Sequence, residues 1–330
     1  MKEYLGNPLQ IRGAEQYQLQ EGKGKGMTFL CVRNGLGLEA WISVDRCGDL
    51  SRLTYKGDNM GYFAPCGYVA PAYYDDQGAG FLKSFTAGFF TTCGLTAVGS
   101  PCVDDGEELP LHGTISNTPA RLRGIDEDEA GLTVRLSATD ARLFGRKLVM
   151  ERTYRFSYVE NLFSVSDTVK NEADVDSPYM ILYHCNMGYP LLDEQSVVRI
   201  PHHSVAPRDG EAAKYTDTAL QMEAPQPSYV ERCYYYDVKG EPAKAGIFNP
   251  RIGKGVVLSY DKEELPCFTQ WKMMGKRDYV LGLEPGNCTP DGRDVLRIEG
   301  RLQFLAPEQS KTTTLSFRFT ENQDEFEGEF

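Results

Sequence analysis

Apolar and polar residues alternate with a period of two in segment after segment of this chain, and no stretch sustains a helical period for three turns. In 295–305, VLRIEGRLQFL, the residues Leu296, Ile298, Leu302 and Phe304 fall on one side, and Arg297, Glu299, Arg301 and Gln303 on the other. Successive side chains on a pleated strand point to opposite faces, so this spacing predicts a strand with one wet face. Leu315, Phe317 and Phe319 repeat it in KTTTLSFRFT, as do LVMERTYRF near 148–156, LFSVSDTV at 162–169 and LTVRLSATDA at 132–141. Gly and Pro interrupt nearly every window long enough for a helix, and turn-forming dipeptides separate the runs. Strands spaced this closely from about residue 29 to residue 320 predict an all-β chain, a large antiparallel sandwich or barrel.

Neither a low-complexity linker nor an internal repeat divides the 330 residues. A single domain over 1–330 is expected, with 1–26 as an N-terminal arm or edge strand and 321–330, ENQDEFEGEF, as a solvated acidic tail. Longer loops are expected at 56–80, 99–119 and 201–250. The first contains APCGYVAPAYYDDQGAG, whose aromatic rings suit either a sugar face or the edge of a sheet.

The formal net charge of -12, with Lys and Arg scattered, argues against nucleic acid as a partner, because phosphate binding needs a concentrated basic surface. No apolar run reaches the length of about 18 residues that spans a bilayer, and MKEYLGNPLQIRG lacks the apolar core of a signal peptide. The expected location is cytoplasmic, with no membrane partner. Nine cysteines without a CxxC pair read as buried reduced thiols, and neither a zinc site nor a disulfide framework is expected. Hydrophobic strand edges are compatible with a homodimer.

Four histidines offer acid–base chemistry. His112 precedes Gly113, which lets the backbone turn sharply. His184 ends the apolar run MILYH just before the polar segment CNMGYP. His202 and His203 are adjacent, so a strand would send them to opposite faces, and they read as surface residues. Glu284 closes the apolar run YVLGLE, where a carboxylate is costly to bury without partners. Twelve to fourteen residues earlier, Gln270, Trp271 and Lys272 offer an amide, a large ring and a cation in succession.

In this order along the chain, HG at 112–113, YHxNxGYPLL at 183–192 and LEP at 283–285 resemble the landmarks of the aldose 1-epimerase (galactose mutarotase-like) family. DRCGDL at 45–50 and TTCGL at 91–95 resemble an uncharacterised branch of it. The resemblance runs roughly from residue 27 to residue 320 and implies a β-supersandwich that interconverts the α and β anomers of an aldose. It implies Glu284 as the general base at the anomeric hydroxyl and His184 as the general acid at the ring oxygen. His112 would hydrogen-bond the sugar, with Asn186, Gln270, Lys272 and Arg46 as further substrate-binding residues. Neither metal nor organic cofactor is expected, and the partner would be a small carbohydrate. Lys272, Arg46 and Arg277 open the way to a phosphorylated, sulfonated or uronic sugar. A carbohydrate-binding module that kept the fold and lost turnover is the alternative.

Overall fold

The alternating segments pair antiparallel into two large sheets in a computed structural model that describes residues 2–330. Eight strands make the smaller sheet, with Gly131–Ala141, Lys147–Ser157, Leu162–Asn171 and Ser310–Thr320 side by side. Twelve strands make the larger. Across its middle, Phe90–Leu95, Ser177–Met187, Tyr279–Gly286, Cys267–Met274 and Arg232–Val238 lie in that spatial order. At one edge Gly13–Gln18 pairs with Thr28–Arg33, and at the other His202–Pro207 pairs with Arg232–Val238.

One hydrophobic cluster joins the inner faces of the two sheets. Leu30, Ile42, Phe90, Tyr183 and Leu281 from the larger meet Val134, Met150, Phe163 and Phe317 from the smaller. The period of two therefore has its cause in sheet-on-sheet packing, which takes every second side chain out of water.

The outer face of the larger sheet is covered in two places. Leu296, on a short helix Arg293–Ile298, packs on Cys93, Met180 and Leu182. Phe81 and Phe85 form a second cluster with Ala64 and Ala87. A cleft opens over the outward residues of the central strands, next to both covers.

Three sequence expectations are corrected. The segment 295–305 is a helix, a turn and only then a strand, Gln303–Leu305. Gly292 and Gly300 adopt φ of 116° and 69°, which bends the chain at both ends of the helix. Arg293 is drawn into a buried ion pair with Asp104, and Ile298 is left 84% exposed. The expected loop 201–250 holds three strands, His202–Pro207, Arg232–Val238 and Ala243–Asn249, and only 208–231 makes an excursion from the sheet. The acidic tail is anchored: Asn322 caps a short helix Gln323–Glu327, and Phe326 is buried against Phe248. The nine cysteines are free thiols, six of them buried and Cys66, Cys102 and Cys267 half-buried.

Candidate active site

His184 and Glu284 face each other across neighbouring strands. The antiparallel register pairs Leu182 with Gly286 and Cys185 with Leu283, which sets His184 opposite Glu284 on one face. Their side chains meet there, Nε2 of His184 lying 3.3 Å from Oε1 of Glu284. Both residues are buried, and neither Nδ1 of His184 nor Oε1 of Glu284 has a hydrogen-bond partner. Buried polar atoms are rarely left so, and here both stand at the floor of a cleft.

His112 reaches the same floor from a loop. It sits at φ 59° and Gly113 at φ 72°, so two successive left-handed residues turn the chain. A Cβ at residue 113 would stand 2.3 Å from the carbonyl oxygen of Gly94, and glycine alone allows that approach. The amide N–H of Gly99 donates to Nδ1 of His112 at 3.3 Å. Nδ1 is thus the acceptor, and Nε2 carries the proton as a donor. The His112 and His184 rings are 5.6 Å apart.

Aromatic rings wall the floor. Phe81 lies 5.3 Å from His112, Phe85 5.3 Å from His184, and Trp271 meets His184 edge-on at 5.1 Å. Leu111, Pro101 and Pro290 extend the apolar lining, and the cavity measures about 330 Å³. That volume suits a small molecule. Among the described residues no group of three or more His, Cys, Asp or Glu is placed to hold a metal ion.

Burial sets the protonation states. It lowers His184 to about 3, helped by the neighbouring His112, while Asn186 pulls in the other direction. It lowers His112 to about 4. Glu284 is pushed well above the usual carboxylate range by burial first and by Glu231 second, with Arg208 opposing. At neutral pH both imidazoles are therefore neutral, and burial favours the protonated form of Glu284.

His112, His184 and Glu284 are brought together. Trp271 joins them because it pairs with Gly282 and so shares the face of Glu284. Gln270 and Lys272 are corrected: alternation turns them to the opposite face. There Gln270 accepts from Tyr236 Oη and donates to the carbonyl of Ala219, and Lys272 binds Glu223 and the carbonyl of Gln221. Both pin the excursion 208–231 to the sheet. Asn186 is buried beside His184 and donates to its carbonyl oxygen at 2.7 Å, so it supports the histidine from behind. Arg46 is buried outside the cleft lining, with Nη1 donating to the carbonyl of Val69 at 3.3 Å. Arg277 is exposed on a turn, and His202 packs on Tyr236.

Arg208, Glu231, Phe81 and Phe85 line the cleft and were missed from sequence. Arg208 and Glu231 stand at the two ends of the excursion, 23 positions apart, and become neighbours only because the flanking strands pair. The phenylalanines lie in KSFTAGFF and just before it, and their only signal was aromatic content in a Gly-rich loop.

Residues 24–319 match the family described as a domain of unknown function, DUF4432. The chain belongs to that family. Among solved structures, this DUF4432 member superposes on a candidate aldose 1-epimerase from Klebsiella pneumoniae with a TM-score of 0.90 and 26% identity, over 96% of this chain and 85% of that one. A galactose mutarotase-like protein from Clostridium acetobutylicum aligns at TM-score 0.69 and 13% identity, over 94% and 99% of the two chains. Galactose 1-epimerase from Lactobacillus acidophilus aligns at 0.63 and 14%, over 94% and 100%. No curated protein matches it. The architecture is the galactose mutarotase-like β-sandwich.

Proposed function

We propose that this DUF4432 member is an aldose 1-epimerase, interconverting the anomers of a small sugar through His184 and Glu284. One observation carries the reading: an imidazole and a carboxyl group 3.3 Å apart, both buried, beside a second histidine in an aromatic-walled cleft. The likeness to the Klebsiella pneumoniae protein supports it.

The chemistry uses one proton shared by the pair and starts from the state in which His184 holds it and Glu284 is a carboxylate. With the proton on His184, the Glu284 carboxylate removes the proton from the anomeric O1–H while His184 gives its proton to the ring oxygen. The C1–O5 bond breaks, C1=O1 forms, and His112 donates from Nε2 to the oxygen that gains charge. Rotation about C1–C2 presents the other face of the carbonyl. The steps then reverse: His184 takes the proton from O5–H, the ring closes, and Glu284 returns a proton to O1. The protein ends with the proton count it began with.

Positioned acids and bases each contribute on the order of 10²–10⁴-fold. Saturation-transfer NMR on a panel of aldoses measures the exchange directly. Wild type is expected to exceed the spontaneous rate, and His184→Ala and Glu284→Ala each to lose at least about 10²-fold of the catalysed rate. Sugar binding without any acceleration of exchange would leave a binding module and end the catalytic reading.

A further inference from the structure

The cleft carries a second polar group that this chemistry does not use. Arg208 follows the strand His202–Pro207, Glu231 precedes the strand Arg232–Val238, and both line the cleft. Nη2 of Arg208 donates to Oε1 of Glu231 at 3.0 Å, and the indole N–H of Trp271 donates to Oε2 at 2.8 Å. Asp209 Oδ2 stands 3.4 Å from the same guanidinium. The carboxylate of Glu231 is therefore held from both sides, and Trp271 links it to the ring of His184.

Among the described lining residues, Arg208 is the one Lys or Arg, and two carboxylates already neutralise it. The cations that made an anionic sugar attractive from sequence, Lys272, Arg46 and Arg277, do not line the cleft. A sugar carboxylate or phosphate arriving here meets the Glu231 carboxylate in the lining and a guanidinium already paired with Glu231 and Asp209. At Nη2 of Arg208 it competes with Glu231, which is also the partner of Trp271, and Asp209 holds the Nε edge of the same guanidinium. A hydroxyl pays neither cost, since it donates to a carboxylate and accepts from a guanidinium at once.

Resting on the reading of the cleft as a sugar site, we infer that the Arg208–Glu231 pair is its specificity element: it fixes adjacent hydroxyls of a neutral aldose and turns away uronic and phosphorylated sugars. The carboxylate supplies both halves of the device. It accepts from the substrate, and it keeps Arg208 from acting as an anion receptor. Discrimination of this kind comes from the repulsive partner as much as from the attractive one.

Binding is tested apart from turnover with 1,5-anhydro-hexitols, which have no anomeric hydroxyl. Calorimetric titrations would compare the neutral forms of glucose, galactose and mannose with their 6-carboxylate and 6-phosphate counterparts. Wild type is expected to bind at least one neutral form at least tenfold tighter than its anionic counterparts. Glu231→Gln keeps an acceptor for Trp271 and removes the charge, so the neutral-to-anionic ratio should fall about tenfold. Arg208→Gln should weaken the neutral form without improving the anionic ones. Thermal unfolding of each variant shows that the fold persists. Tighter binding of an anionic form by wild type, an unchanged ratio in Glu231→Gln, or no neutral form bound would each overturn the inference. Selectivity without anomeric exchange would keep it and sink the epimerase reading instead.

Discussion

At the scale of single residues, the position of the Glu284 carboxylate depends on a neighbour with no side chain. A Cβ at Gly282 would stand 2.2 Å from Oε1 of Glu284 and 3.0 Å from Cβ of Trp271. Residue 282 lies inside the strand Tyr279–Gly286, where alanine is conformationally acceptable, so the clash falls on the carboxylate. Gly282→Ala should therefore swing Glu284 away from His184 and lower kcat for anomeric exchange by about tenfold or more, an effect of the size expected when an acid–base partner is misplaced. The urea midpoint should move much less than in a true core variant. An unaltered kcat would mean that the carboxylate tolerates displacement and that its contact with His184 is incidental.

Among the elements, the hairpin Cys102–Asp104 with Glu107–Leu109 delivers His112, which follows its second strand by three residues. The helix Arg293–Ile298 holds that hairpin by charge. Arg293 Nε and Arg297 Nε each donate to Asp104 at 2.6 Å, and Arg293 Nη2 reaches Glu107 at 3.1 Å. These contacts hold the Asp104 carboxyl below the ordinary range, Arg297 foremost. Removing one partner of a buried pair costs on the order of 3–5 kcal/mol, because the other charge stays behind unpaired. Arg297 stays on Asp104 after Arg293→Met, so the variant should cost less than that, about 1–3 kcal/mol in urea unfolding. It should also raise KM for the sugar severalfold, since His112 loses its mooring. Lost stability with KM unchanged would show that His112 is placed without the hairpin.

The same elements show what can be read along a chain and what cannot. His184 and Glu284 stood out in the sequence because each ends an apolar run, where a polar residue needs a reason to be there. Gln270 and Lys272 sit in just such a strand, yet their neighbour Trp271 takes the cleft face. Their direction depends on which parity faces the smaller sheet, and a short polar–apolar mixture does not reveal it. The helix Arg293–Ile298 was hidden because its apolar residues also fit a period of two, and Asp104, the partner of Arg293, lies 189 positions away. For the same reason the Arg208–Glu231 pair is a product of topology.

Across the whole molecule, the two sheets are joined by more than apolar packing. Arg152, on the smaller sheet, is fully buried and donates to Asp49 of the larger sheet at 2.7 Å and to Asp167 of its own at 2.6 Å. Its Nη2 also donates to Thr92 at 2.6 Å, and Asp167 accepts from Tyr183 Oη at 2.7 Å. Tyr183 is the residue before His184, so the network lies directly behind the cleft floor. The side chains of the strand Ser177–Met187 alternate between the inter-sheet core and the outer face, where Met180 and Leu182 meet the helix and His184 meets the cleft. Arg152→Met leaves two buried carboxylates facing one another and should destabilise the protein by about 3–5 kcal/mol or more in urea unfolding. Arg152→Met combined with Asp49→Asn and Asp167→Asn keeps hydrogen-bonding groups while removing every charge, and should recover most of the loss. If the triple variant is stable and still exchanges anomers at the wild-type rate, the buried charges act between the sheets alone. If it is stable and slow, they also hold His184 in place from the far side of the strand.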